Sequence, residues 1–121
     1  NPAELIRIHE SMKTELAADG GEIMNIYVCP HHWDDECSCR KPNPGMFYQA
    51  SNEYLFRLDK TLFIGDDPRD CQAAWNAGCG SVFLGDEKEL AALPLSHQPG
   101  LVAPELLSAV EFITITLEQN L

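Results

Sequence analysis

Three cysteines, two histidines, an Arg-Lys pair and a Pro-x-Pro-Gly turn are packed into CPHHWDDECSCRKPNPGM, Cys29 to Met46. Cys29-x-His31 followed by Cys37-x-Cys39 offers three thiolates and an imidazole, a donor set that suits tetrahedral zinc. The pairs are each one residue apart, which is not a zinc-finger spacing. The same cysteines also read as exposed free thiols open to oxidation, or as a disulfide, and His32 could replace His31 as ligand. With all four positions filled by protein, such a metal is expected to be structural. It would order a loop too polar to have a core of its own; in zinc-finger peptides closing the site is worth ~10–16 kcal/mol.

Arg40 and Lys41 follow the last cysteine without a spacer, so a metal held there would also fix where the two cations point. Arg suits bidentate phosphate contacts and Lys acts as a compact positive charge; the plain alternative is two solvated bases beside an acidic loop. A second unusual segment is GDDPRD, Gly65 to Asp70. A strand ending at Gly65 would deliver Asp66 to the rim of a sheet, where a carboxylate can hold Mg²⁺ together with waters and phosphate oxygens. Asp67 and Asp70 then stand behind that ion, or simply cap the helix that follows. His9, Asp34, Asp35 and Glu36 read as solvated, His97 as a loop residue with no visible partner, Trp33 as a neighbour of the metal or the substrate, and Trp75 as core.

These segments need a frame to position them. Pro2 to Ala18 carries Leu5, Ile8, Met12 and Leu16 at helical spacing and stops at Asp19-Gly20-Gly21, which predicts an amphipathic helix. Ile23 to Val28 reads as a buried strand. Pro44 to Phe56 reads as a helix with Asn43 as its N-cap. Thr61 to Ile64 predicts a strand, Pro68 to Ala77 a helix ended by Gly78, and Ser81 to Leu84 a third strand. Glu87 to Leu93 predicts a short helix and Pro94 to Pro104 a loop. A final helix opens at Pro104, with a strand over Ile113 to Leu117 as the minority reading. Alternation of this kind implies an α/β fold, a three-layer parallel sheet with helices on both faces. Ligands of such sheets bind beyond the carboxyl ends of the strands, and both unusual segments begin where a predicted strand ends.

The chain has 121 residues, about one small domain. Nineteen acids against eight bases give a net charge of −11, which argues against nucleic acid as a partner. No apolar run is long enough to cross a bilayer, so no membrane partner is expected, and the opening residues do not form a secretory signal. Three of the five cysteines cluster in one loop, a distribution that fits metal binding in a reduced, cytoplasmic protein better than a disulfide framework.

CPHHWDDECSCRKPNPGM together with LFIGDDPRDCQAAWNAGC resembles the haloacid dehalogenase-like (HAD) phosphatases. It is most similar to the zinc-containing branch of heptose 1,7-bisphosphate and histidinol phosphatases. The resemblance covers roughly Ile8 to Leu84. It implies a Rossmann-like sheet, zinc on Cys29, His31, Cys37 and Cys39, substrate contact by Arg40, and a Lys41 that balances the nucleophile and the transferring phosphate. It also implies Mg²⁺ on Asp66 and a sugar phosphate as substrate, with histidinol phosphate second. The family's nucleophile lies in an Asp-x-Asp-x-Thr-like motif, and no Asp-x-Asp occurs in these 121 residues. The chain, which starts at Asn rather than Met, is therefore expected to be the C-terminal part of one such domain. An upstream segment or self-association is expected to complete its sheet. A catalytically inactive, zinc-stabilised module is the alternative from a different functional class.

Overall fold

The computed structural model describes residues 1–31 and 36–119. Three short parallel strands form the sheet: β1 (Leu62–Gly65), β2 (Gly80–Leu84) and β3 (Leu101–Ala103), in the order β1-β2-β3. Leu62 stands opposite Gly80, and Val82 opposite Leu101. The pleat sends alternate side chains of β2 to opposite faces. Phe83 packs with Cys71, Leu90, Leu93 and Val102 on one face. Val82 packs with Ala103, Ala109, Ile64 and Ile113 on the other. The helix after β1 covers the first face and the last helix of the chain covers the second. This is the expected α/β three-layer arrangement, with a parallel sheet at its centre.

Four α-helices surround or extend from the sheet: α1 (Pro2–Ala18), α2 (Gly45–Tyr54), α3 (Pro68–Ala77) and α4 (Leu106–Gln119). α3 has the expected bounds. Asp67 is its N-cap, Asp70 returns the bond to the Asp67 amide, and Gly78 ends it at φ 80°, a conformation that glycine adopts without steric cost. Its buried face is Asp70, Cys71, Ala73, Ala74 and Ala77. That face leaves Trp75 on the outside, 54% exposed, so the expectation of a core tryptophan is corrected. Trp75 lies against His97, with ring centroids 5.6 Å apart, giving that histidine a partner the sequence did not show.

Other expectations are also revised. Ile23 to Val28 is not a strand. A strand needs a neighbouring ladder, and this stretch instead lies beside α2. There Tyr27 Oη donates to Glu53 (2.5 Å) and Tyr54 Oη to the Met24 carbonyl (3.4 Å). β3 was hidden in the predicted loop, because three residues between Gly100 and Pro104 are too few to show alternation. Asn43 does not cap α2; Pro44 occupies that position without a side-chain bond, and the Asn43 amide is used elsewhere. α1 has the expected bounds and apolar stripe, yet none of its residues is buried. Ile113 to Leu117 is helical, and Thr114 and Thr116 donate back to the carbonyls of Val110 and Phe112, which satisfies their hydroxyls within the helix.

Candidate metal centre and anion site

Cys29, His31, Cys37 and Cys39 converge. Their ligand atoms all lie within 4.8 Å of one another. Cys29 Sγ is 3.2 Å from Cys39 Sγ, 3.5 Å from Cys37 Sγ and 3.6 Å from His31 Nδ1, and His31 Nδ1 is 3.1 Å from Cys39 Sγ. A tetrahedron with Zn–S bonds of about 2.3 Å has edges of about 3.8 Å, so the four donors stand close to the separation a zinc ion imposes. All five cysteines are free thiols, so the disulfide reading does not hold. Among the described residues this is the one group of His, Cys and carboxylate side chains that could hold a metal. His32, the alternative ligand, and Trp33, Asp34 and Asp35 lie outside the described residues.

Charge within the cluster is uneven. The hydrogen bond from Cys39 brings Cys29 down to about 6, while sharing that bond holds Cys39 up at about 11. A divalent cation favours the thiolate at every coordinating sulfur, so the donor chemistry fits a soft divalent metal.

Backbone and side-chain bonds lock the residues around this cluster. Asn43 Nδ2 donates to the Cys37 carbonyl (2.8 Å) and the Gly45 amide to the Ser38 carbonyl (2.8 Å). A Cβ on Gly45 would fall 2.4 Å from that same oxygen, so only glycine fits where α2 starts. Arg40 Nη2 donates to the His31 carbonyl at 3.2 Å. Arg40 Nε is buried with no hydrogen-bond partner among the described residues, and a buried guanidinium donor of that kind is suited to an anion.

Lys41 reaches α3, where its ammonium ion-pairs with Asp70 Oδ1. Asp70 is 3% exposed; its second oxygen accepts the Asp67 amide at 3.0 Å. Gly65 makes room for it, since a Cβ there would lie 2.1 Å from Asp70 Oδ2. Asp70 thus braces both Lys41 and the α3 cap. Asn76, at the far end of α3, donates to the Pro42 carbonyl at 2.9 Å. Nothing in the chain order linked Asn76 to Pro42; the contact depends on how α3 packs beside the loop. Asp67 faces Arg69, which donates through Nε (3.1 Å) and Nη2 (2.9 Å). That side chain, then the Arg69 amide, holds the Asp67 carboxyl down at about 2. Asp66 directly follows β1 and is exposed, at the carboxyl end of the sheet, where the sequence placed it.

Lys41 and Asp70 thus link the loop after Cys39 to the start of α3, beside Asp66 at the end of β1. Lys41 also borders an apolar cleft of ≈ 400 Å³ with Met46, Phe47 and Phe63. Phe47 meets Phe63 edge-on at 4.7 Å, tying α2 to β1. A second apolar cavity, ≈ 490 Å³, lies at the opposite ends of the strands, beside Leu62, Gly80 and Leu101. It is remote from these charges.

The parallel α/β sheet, with Asp66 directly after β1 and Lys41 braced from α3, can be set beside known families. Residues 38–109 match the model of the HAD-hydrolase-like family, and the chain belongs to that family. Among its relatives, the D-glycero-β-D-manno-heptose-1,7-bisphosphate 7-phosphatase of Bordetella bronchiseptica is 46% identical over 77 residues, 64% of this chain and 43% of the relative. The enzyme of the same name from Pseudomonas aeruginosa is 35% identical over 108 residues, 89% of this chain and 61% of the relative. A crystal structure of the D,D-heptose 1,7-bisphosphate phosphatase from B. bronchiseptica, complexed with magnesium and phosphate, matches with a TM-score of 0.83 at 36% identity. The match covers 94% of this chain and 65% of that one. The chain thus spans about half to two thirds of the length of these relatives.

Proposed function

We propose that this chain carries the metal-held substrate side of a Mg²⁺-dependent phosphatase acting on a heptose 1,7-bisphosphate. The observation that carries the reading is the direct junction between the Cys₃His cluster and the Arg40-Lys41 pair, with Lys41 braced by Asp70 behind the Asp66 rim. Cys29, His31, Cys37 and Cys39 would hold a structural zinc. Asp66 would hold Mg²⁺, with Asp67 and Asp70 behind it. The names of the relatives, and the magnesium and phosphate of the solved structure, support the choice of metal and of substrate class.

In this reading Arg40 and Lys41 neutralise charge on the phosphoryl oxygens as it develops. Donors fixed in advance in this way are usually the largest catalytic contribution. Bound Mg²⁺ would act as a Lewis acid on the same oxygens. Arg40 contacts and orients the sugar bisphosphate, and Asp70 keeps the Lys41 ammonium in place between turnovers. The attacking carboxylate and the acid that protonates the leaving alkoxide come from outside these residues, consistent with the absence of Asp-x-Asp. Phosphoryl transfer to that carboxylate and hydrolysis of the aspartyl-phosphate complete the reaction. The outer edge of β1, unpaired among the described strands, is where a further strand from an upstream segment or another copy would pair. Five free thiols fit a reducing, cytoplasmic setting. No described helix is long and apolar enough to cross a membrane.

The test is to join this chain to the part of the Bordetella relative that it does not cover, and to measure phosphate release from heptose 1,7-bisphosphate and from histidinol phosphate. The proposal expects Mg²⁺-dependent release from the sugar bisphosphate, falling about 10²–10³-fold with Lys41→Ala, as when one charge-stabilising donor is removed. Preference for histidinol phosphate would move the substrate assignment. Release unaffected by Lys41→Ala and Asp66→Ala would leave the chain as a zinc-stabilised module without a phosphate site.

A further inference from the structure

The geometry of the cluster points to a second chemistry. We propose that Cys29 and Cys39 are a peroxide-modification site, at which oxidation to a disulfide expels the metal and releases Arg40. The inference rests on the zinc reading above. Cys29 Sγ stands 3.2 Å from Cys39 Sγ and 3.5 Å from Cys37 Sγ, and the Cys39 contact is the shorter. The cysteines of the cluster are only half-buried and His31 is exposed, so a small oxidant reaches them. Cys71, by contrast, is 1% exposed beneath α3.

The step balances with hydrogen peroxide as oxidant. The Cys29 thiolate attacks one peroxide oxygen, the O–O bond breaks, and the departing hydroxide takes up a proton to leave as water. The Cys29 sulfenic acid is then attacked at sulfur by the Cys39 thiolate. An S–S bond forms, and the hydroxyl leaves with a second proton as another water. Two electrons pass from the two sulfurs to peroxide. A disulfide holds its sulfurs at about 2.05 Å and takes two of the four donors out of the metal's shell. Cys37 and His31 are too few to keep a tetrahedral ion. The consequence reaches the anion site through short paths. Arg40 adjoins Cys39 and is tied to the His31 carbonyl, and Asn43 is tied to the Cys37 carbonyl. Lys41, held separately by Asp70, is retained.

The chain loaded with one zinc is titrated with hydrogen peroxide. Zinc release is followed with a chromophoric chelator, thiols are counted, and cross-linked peptides are identified by mass under non-reducing conditions. The expected result is stoichiometric zinc release with the loss of two thiols, a Cys29–Cys39 linked peptide, and recovery of full zinc binding after dithiothreitol and added zinc. Zinc retained while Cys71 or Cys79 oxidises would overturn the proposal. So would zinc lost with sulfinic or sulfonic acid formation and no disulfide. A protein that binds no zinc before peroxide is added would instead overturn the zinc reading itself, and this outcome is visible at the start of the titration.

Discussion

The loop from Cys29 to Gly45 and the sheet from Leu62 to Ala103 lie side by side, yet different forces order them. In the sheet, Phe83 is fully buried and Leu90 and Cys71 nearly so, and burial of this kind stabilises by about 25 cal/mol per Å² of apolar surface. In the loop no described residue is buried. Its shape rests on four donor atoms around one point and on bonds from Arg40, Asn43 and Gly45 to neighbouring carbonyls. The sheet should therefore tolerate loss of the metal, and the loop should not. Lys41 and Asp70 join the two regions.

The largest expected effect is on the loop. Removing the metal with a chelator should abolish amide protection across Cys37 to Gly45, a loss on the scale of ~10 kcal/mol of metal-linked folding free energy. The amides of β1 and β2 should stay protected, and hydrogen exchange measures both in one experiment. The converse change is Phe83→Ala, which should cost about 3–5 kcal/mol in chemical denaturation with one zinc still bound at low denaturant. A variant that lost zinc along with sheet stability would show that the two regions are not separable.

At the junction, Gly65→Ala should destabilise by about 1–3 kcal/mol, because its methyl would meet the Asp70 carboxylate at 2.1 Å. The same variant should displace Lys41, and an inorganic phosphate titration followed by NMR would show the Lys41 signals weakened in their response. The smallest effect belongs to Asp67. Asp67→Ala should cost about 1 kcal/mol through loss of the α3 cap. Arg69 holds that carboxyl at about 2, below the ordinary value of about 3.9. The cap's contribution is therefore complete above about pH 4 and is lost as pH falls through about 2. With the side chain 37% exposed, solvent screening keeps the Arg69 pair below about 1 kcal/mol. Comparing urea midpoints of wild type and variant across that window checks the sign.

The two regions also differ in what the chain disclosed. α3 was legible to the residue, because Pro68, Asp67 and Gly78 are local signals that act within one helix. The cluster was legible from donor types, since thiols and imidazole at that density have few other uses. What stayed hidden depended on distant neighbours. Ile23 to Val28 has strand composition, yet its contacts are with α2. β3 is a strand because β2 offers it an edge, and Trp75 faces outward because Asp70, Cys71 and Ala74 claim the inner face of α3. α1 shows an apolar stripe, but a stripe names no partner, and Ile8 is 62% exposed. Arg40, Lys41 and Asp66 are singled out in the sequence by type and place and stand as proposals, whereas the Asp70 brace on Lys41 and the Asn76 bond to Pro42 emerge only from the packing of α3.

Zinc K-edge X-ray absorption on the purified chain tests the central claim most directly. The account predicts one zinc per chain with three sulfurs at about 2.3 Å and one nitrogen at about 2.0–2.1 Å. A protein prepared under reducing, chelator-free conditions that holds no zinc, or holds it through an oxygen-rich shell, would contradict the claim that Cys29, His31, Cys37 and Cys39 order the loop that aims Arg40 and Lys41.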